Sequence, residues 1–192
     1  MASIGQLVRS VSHVSGLEEG SVKLIARYIR EAGFIGQQST GAGAAQMSYA
    51  DAASILIAVN AASLAKDAAE TVRKYGRLPI NYSSVFDETA SDLARIYSAI
   101  THTENFVDAL ASLIEFCAEE NSVFIDVEFL QPKPQVFVRI WAGENDIDDL
   151  GKTAFSCVFK ADRNQSSFDG DRVVRVNITH RTLRTLAQTI QT

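Results

Sequence analysis

The chain has 192 residues, of which 46% are hydrophobic and 21% are charged. This balance is typical of a globular protein and excludes a disordered chain, a collagen and a small disulfide scaffold. Cys117 and Cys157 belong to no metal-binding or redox motif, and the N-terminus lacks the basic and apolar segments of a signal peptide. We therefore expect a cytoplasmic protein with no membrane segment and no cofactor.

The net charge of −5 is divided unevenly along the chain. Residues 1–80 contain eight Lys and Arg against six Asp and Glu, a balance of +2, whereas residues 81–192 contain ten against seventeen, a balance of −7. The contrast predicts two parts with different tasks and a boundary near residue 80. A solvated acidic surface explains the charge of the second part equally well.

Apolar residues at helical spacing predict two helices at the start of the chain, over 4–15 and 18–32. Ser3 is placed to cap the first helix, and Gly16 and Gly33 are placed to end the two helices. The small polar segment 37–47 predicts a loop. An alanine-rich helix is then predicted over 48–75, and we expect it to lie at the centre of a helical bundle.

The second half predicts a linker over 81–87 and helices over 88–100 and 104–119. From residue 122 onward, apolar and polar side chains alternate, which is typical of strands. The strands are predicted over 123–130, 136–141, 154–160 and 172–178, with a helix starting at residue 179. The fold class is therefore α+β: an N-terminal helical domain over 1–80, then a domain over 81–192 with helices, a four-stranded antiparallel meander and a C-terminal helix.

The segment HVSGLEEGSVKLIARYIREAGFI, residues 13–35, contains the end of the first predicted helix, a glycine turn, the second helix and a Gly-Phe-Ile exit. This segment resembles the helix-turn-helix core of bacterial and phage DNA-binding proteins, with an exit similar to that of winged-helix regulators. The runs GAGAAQMSYADAASILIAVNAASLAKDA and NFVDALASLIEF resemble small helix-turn-helix proteins of prophage-like clusters in proteobacteria. The resemblance implies that the second helix lies in the DNA major groove.

The resemblance also implies two groups of contact residues on the second helix. Residues at its N-terminus would face the base edges, and basic residues further along would meet phosphates. The candidate DNA-binding residues are Glu19, Gly20, Ser21, Lys23, Arg27 and Arg30. An ordinary helical hairpin has the same spacing, and the wing candidate at 37–47 contains no Lys or Arg.

We therefore predict a sequence-specific regulator of transcription, of prophage type, that binds double-stranded DNA. Since one chain offers few phosphate contacts, we expect a homodimer or a larger assembly, joined by the alanine-rich helix or by an edge of the sheet. The first alternative is a phage DNA-packaging adaptor similar to a small terminase. The second is a regulator that docks on polymerase through its acidic C-terminal half.

Catalytic and metal-binding motifs are missing from the sequence. His13, His102 and His180 lie far apart, and neither a nucleophile elbow nor metal-ligand spacing is present, so we predict a protein that is not an enzyme and holds no metal. The acidic run 144–149 lacks the spacing of an EF-hand loop. Trp141 and the phenylalanine-rich strands are interpreted as core or interface rather than as a base-stacking platform, because few basic residues lie among them.

Overall fold

The structure, a computed structural model, describes residues 2–36, 46–85, 91–119, 123–142, 155–161 and 173–192. Within these ranges the chain has an α+β fold with seven α-helices and a five-stranded antiparallel sheet. The acidic run 144–149 and most of the wing candidate, residues 37–45, lie outside the described residues.

Helices α1 (Ile4–Ser15) and α2 (Glu19–Glu31) confirm the two predicted N-terminal helices. The side chain of Ser3 accepts a hydrogen bond from the Gln6 backbone, and the Gln6 side chain accepts one from the Ser3 backbone. This reciprocal cap fixes the start of α1. Gly16 ends α1 with a φ of 69°, a left-handed conformation that glycine adopts without steric cost.

The alanine-rich segment forms two helices, so the single helix predicted over 48–75 is wrong. Helix α3 (Tyr49–Ala61) and helix α4 (Ala68–Gly76) flank a single 3-10 turn at Ala65–Asp67. The break begins at Ala62, whose backbone is extended. Just before it, Asn60 Nδ2 donates to the Leu56 carbonyl oxygen at 2.8 Å, and such a side-chain bond competes with the backbone hydrogen bonds of the helix.

The second half of the chain contains the two helices, the four strands and the last helix that the sequence predicts, in the predicted order, preceded by one strand that was not predicted. Its helices are α5 (Ser91–Thr101), α6 (Phe106–Glu119) and α7 (His180–Gln191). Its strands are β1 (Ile80–Val85), β2 (Val123–Gln131), β3 (Gln135–Ala142), β4 (Phe155–Lys160) and β5 (Val174–Thr179). The order across the sheet is β1-β4-β3-β2-β5, and every neighbouring pair is antiparallel.

The predicted four-stranded meander is therefore wrong in two respects. The segment predicted as a linker over 81–87 contributes β1, which pairs with β4 and places Ser83 opposite Cys157. Strand β1 was missed because its sequence, INYSSV, has too few apolar residues to show alternation. The last strand, β5, pairs with β2 rather than with β4, a long-range pairing that no local pattern specifies.

The helices pack against one side of the sheet, which we call the inner face. Phe106 of α6 lies against Phe129 and Phe159 of the sheet, with ring centroids 5.8 and 5.1 Å apart. The N-terminal helices join the same core, since α3 packs on α6 and β2, and α1 packs on α7. Buried side chains from both halves of the chain form one continuous hydrophobic cluster. The opposite side of the sheet is called the outer face.

This continuous core predicts that the described parts of the chain unfold together. We expect Phe106→Ala to lower the free energy of unfolding by about 3–5 kcal/mol, because it leaves a cavity between α6 and the sheet. Helical circular dichroism and Trp141 fluorescence should then give the same denaturation midpoint, lowered equally in both signals. Gln188→Ala, at an exposed position on α7, serves as the control. Two separated transitions would instead support independent domains divided near residue 80.

Candidate nucleic-acid interface

Helix α2 lies at the surface of the helical layer with one side buried. Its buried side chains, Val22, Ile25, Ala26 and Ile29, repeat at helical spacing and join the core. They pack against α1, α3 and α4. The opposite side of α2 is exposed, and this side is the candidate interface.

The predicted contact residues differ in how far they are exposed. Glu19, Gly20 and Ser21 form the exposed first turn of α2, after a connection of three residues from α1. Lys23 and Arg27, one turn apart, have side chains that are 72% and 66% exposed. All five residues are accessible: Glu19, Lys23 and Arg27 follow one row along the helix, whereas Gly20 and Ser21 lie further round its first turn.

Arg30 differs from the other candidates because it is half-buried at the border of the exposed side. Around the axis of a helix with 3.6 residues per turn, Arg30 lies close to Lys23 and to the buried Ala26, and on the opposite side from Ser21. A half-buried arginine at this border can reach a ligand only from the edge of the helix. Its predicted role is therefore limited to the periphery of the interface.

The cations of α2 are paired with glutamates of the same helix. Lys23 Nζ lies 3.8 Å from Glu19 Oε1, and Arg27 Nε donates to Glu31 Oε1 at 2.7 Å. The hydrogen bond and the negative charge of Glu31 raise the pKa of Arg27 above its ordinary value. The exposed side of α2 thus carries close to zero net charge, and both pairs are open to solvent, where ion pairs exchange readily.

Three large apolar side chains lie on or beside the same exposed surface, and none of them is among the predicted contact residues. Leu24 and Tyr28 are one turn apart on α2, and Leu17 lies in the turn that precedes the helix. Their exposed fractions are 44%, 36% and 40%. The sequence did contain a signal for this exposure. The apolar residues at helical spacing already form one buried stripe on α2, and Leu24 and Tyr28 fall outside that stripe.

Neighbouring elements add further charges beside α2. The 3-10 turn and α4 both pack against it. The guanidinium of Arg73 lies 5.6 Å from the ring centroid of Phe34, which follows α2, and it also pairs with Glu70. Lys66 in the 3-10 turn is exposed. The surroundings of α2 therefore contain both basic and acidic groups in similar numbers.

His180, the first residue of α7, lies beside the sheet. His180 is half-buried against Phe124, and burial, together with the charges of Arg184 and Arg181, lowers the pKa of His180. Across the described ranges, no group of three or more His, Cys, Asp or Glu side chains is placed to hold a metal ion.

In comparisons with protein-family models, curated proteins and solved structures, the chain has no match. None of the described helices is long and apolar enough to cross a membrane.

The two cysteines should be inert in the folded protein. Burial raises the pKa of Cys117 and of Cys157 to about 12, so both thiols stay protonated near neutral pH and lack the reactive thiolate. In a thiol titration at pH 8 we expect no fast labelling of the native protein and two labelled thiols after denaturation. Rapid labelling of either thiol in the native state would contradict the buried positions.

Proposed function

We propose that the chain binds double-stranded DNA through α2 and acts as a non-catalytic, prophage-type regulator of transcription. The observation that carries this proposal is the arrangement of α1 and α2, two packed helices joined by only three residues, with the polar first turn of the second helix exposed. In helix-turn-helix proteins such a helix enters the major groove with its N-terminal residues at the base edges. The contact residues would be Glu19, Gly20, Ser21, Lys23 and Arg27, with Arg30 at the rim.

The ion pairs of α2 are compatible with phosphate binding because they are exposed. A phosphate that approaches Arg27 would replace Glu31 as its partner, at little cost, since a solvent-exposed pair contributes little free energy. The glutamates nevertheless reduce the attraction of α2 for DNA at long range. We therefore expect modest affinity per chain, which an oligomer would raise by supplying a second copy of α2.

The first test of this proposal separates Arg27 from its glutamate partner. Arg27→Ala should weaken binding to all duplex sequences and lower the slope of log affinity against log salt by about one. Glu31→Gln should have the opposite effect, because it removes a negative charge and leaves Arg27 free to meet a phosphate. A salt titration with a fluorescent duplex measures both effects.

Lys133→Ala is the matched control for this titration. It removes one exposed cation from the turn between β2 and β3, rather than from α2. Duplex binding by Lys133→Ala should equal that of the wild type. If Arg27→Ala, Glu31→Gln and wild type all bind alike, α2 is not the DNA-binding helix.

A second candidate function, a protein-interaction module, is favoured by the exposed Leu17, Leu24 and Tyr28. Exposed apolar groups of this size on one surface are typical of protein contacts. Of the alanine-rich segment 48–75 that the sequence offered as a dimer interface, the part that forms α3 is buried within its own chain. Among the described residues, the exposed apolar residues of α2 and the edges of the sheet are candidates for self-association.

Leu24→Ser distinguishes these two functions. If the exposed apolar residues join two copies of the chain, light scattering at micromolar concentration should show at least a dimer for the wild type and a smaller mass for Leu24→Ser. If α2 instead contacts DNA, the mass should stay constant while duplex affinity changes. The wild-type mass also separates the regulator from the packaging adaptor, because a dimer favours regulation and a ring of many subunits favours packaging.

A further inference from the structure

The outer face of the sheet carries aromatic side chains where an antiparallel sheet commonly exposes polar ones. Along β3, the third of the five strands, Val136, Val138 and Ile140 face the core. The alternate residues Phe137, Arg139 and Trp141 therefore point to the outer face, where they are half-buried. Of the two interpretations of Trp141, core or interface, the first is thus wrong, and a cation, Arg139, lies between Phe137 and Trp141 on this face.

Strand β2 adds a second aromatic residue beside Trp141. Phe124 lies opposite Trp141 in the ladder, and the two rings stack with centroids 6.1 Å apart and planes inclined by 12°. The ring of His180 meets Phe124 edge-on at 4.7 Å. Stacked and edge-on rings of this kind hold one another in place, so the aromatic surface is preorganised.

The charges of this face are arranged so that guanidinium groups are outermost. Arg139 donates to Asp126 at 2.6 Å and to Glu128 at 2.8 Å, and Arg175 donates to Glu128 at 3.1 Å. The two carboxylate side chains are only 15% and 7% exposed, whereas Arg139 and Arg175 are 42% and 68% exposed. A ligand that approaches here therefore meets positive charge before negative charge.

The ion pairs leave donor groups on Arg139 for a further partner. Its hydrogen bonds to Asp126 and Glu128 use Nε and Nη2. A guanidinium has five N–H donors, so those on Nη1 lie outside this network. Because the carboxylates fix the orientation of the guanidinium, little side-chain entropy would be lost when it binds a phosphate.

From this juxtaposition of rings and guanidinium groups we propose that the outer face binds a single-stranded nucleic acid. We call the surface formed by Phe124, Phe137, Trp141, Arg139 and Arg175 the aromatic–arginine patch. Unpaired bases would stack on its rings, and backbone phosphates would accept hydrogen bonds from its guanidinium groups, which is how single strands are held on sheet surfaces in general. The aromatic–arginine patch is separate from α2. Single-strand binding at the patch does not depend on duplex binding at α2.

The chain carries its own reporter for this proposal, because Trp141 is the single tryptophan. An oligothymidylate of about 12 nucleotides, within the ~4–16 nucleotides that one such surface covers, is the probe. At low salt it should quench Trp141 fluorescence to saturation, and its affinity should fall as salt rises. A duplex of the same length, whose bases are stacked inside the helix, should leave Trp141 unquenched, so this site and α2 are tested independently.

Variants at Phe137 test whether stacking carries the binding. Phe137→Leu keeps an apolar side chain without a ring and should weaken oligothymidylate binding roughly fivefold to hundredfold. Phe137→Tyr keeps the ring and should bind like the wild type. Lys66→Ala, which removes an exposed cation from the helical layer, is the charge control and should also bind like the wild type. Thermal melting of each variant shows whether the fold is kept.

Three results would overturn the proposal: no quenching at low salt, equal binding by folded Phe137→Leu and wild type, or equally good competition by polyglutamate. The last result would mean that the surface attracts any polyanion without contacting bases. If binding does depend on the ring of Phe137, the affinities of oligouridylate and oligodeoxyuridylate, which differ only in the 2′-hydroxyl, assign the natural strand. Tighter binding of the strand that carries the 2′-hydroxyl indicates RNA as the natural ligand. If that strand does not bind more tightly, the natural ligand is DNA.

Discussion

The rest of the fold depends on the burial of α3, a helix that is apolar on all sides. Residues 52–58 of this helix are buried without interruption. A helix of this kind must be surrounded, and α1, α2, α4, α6, α7, β2 and β5 all pack against it. Small side chains such as Ala52, Ala53 and Ala58 let these neighbours approach closely. The position of α2, with one side against α3 and one side in solvent, follows from this arrangement.

The two proposed binding surfaces use ion pairs in different ways. On α2, the partners of Lys23 and Arg27 are themselves about half exposed, so a phosphate can replace them. On the outer face of the sheet, Glu128 is almost completely buried beneath two arginines. A buried carboxylate that lost these partners would be strongly destabilising, so Glu128 stays in place and orients the guanidinium groups. The cations of α2 can therefore change partners when a ligand binds, whereas the guanidinium groups on the outer face are already held in position before a ligand binds.

Local signals predicted the ends of elements better than their pairing. Ser3, Gly16 and Gly33 act as the sequence indicated, because a cap needs only residues within one or two turns. The break after α3 was missed because its main signal, the Asn60 side chain, lies in an otherwise continuous alanine-rich run. Strand β1 was missed because edge strands need few apolar residues, and its assignment depends on its long-range partner β4.

The sequence by itself determined the α+β class, the limits of α1 and α2, and the residue types available on α2. The periodicity of β3 also required Phe137, Arg139 and Trp141 to share one face of the sheet. Only the tertiary structure decided that this face lies opposite the helices, and that Asp126 and Glu128 lie beneath the arginines. The physical reason is that alternation groups side chains on a face without specifying which face is covered. That choice is made by packing between elements far apart in the chain, which a local pattern does not contain.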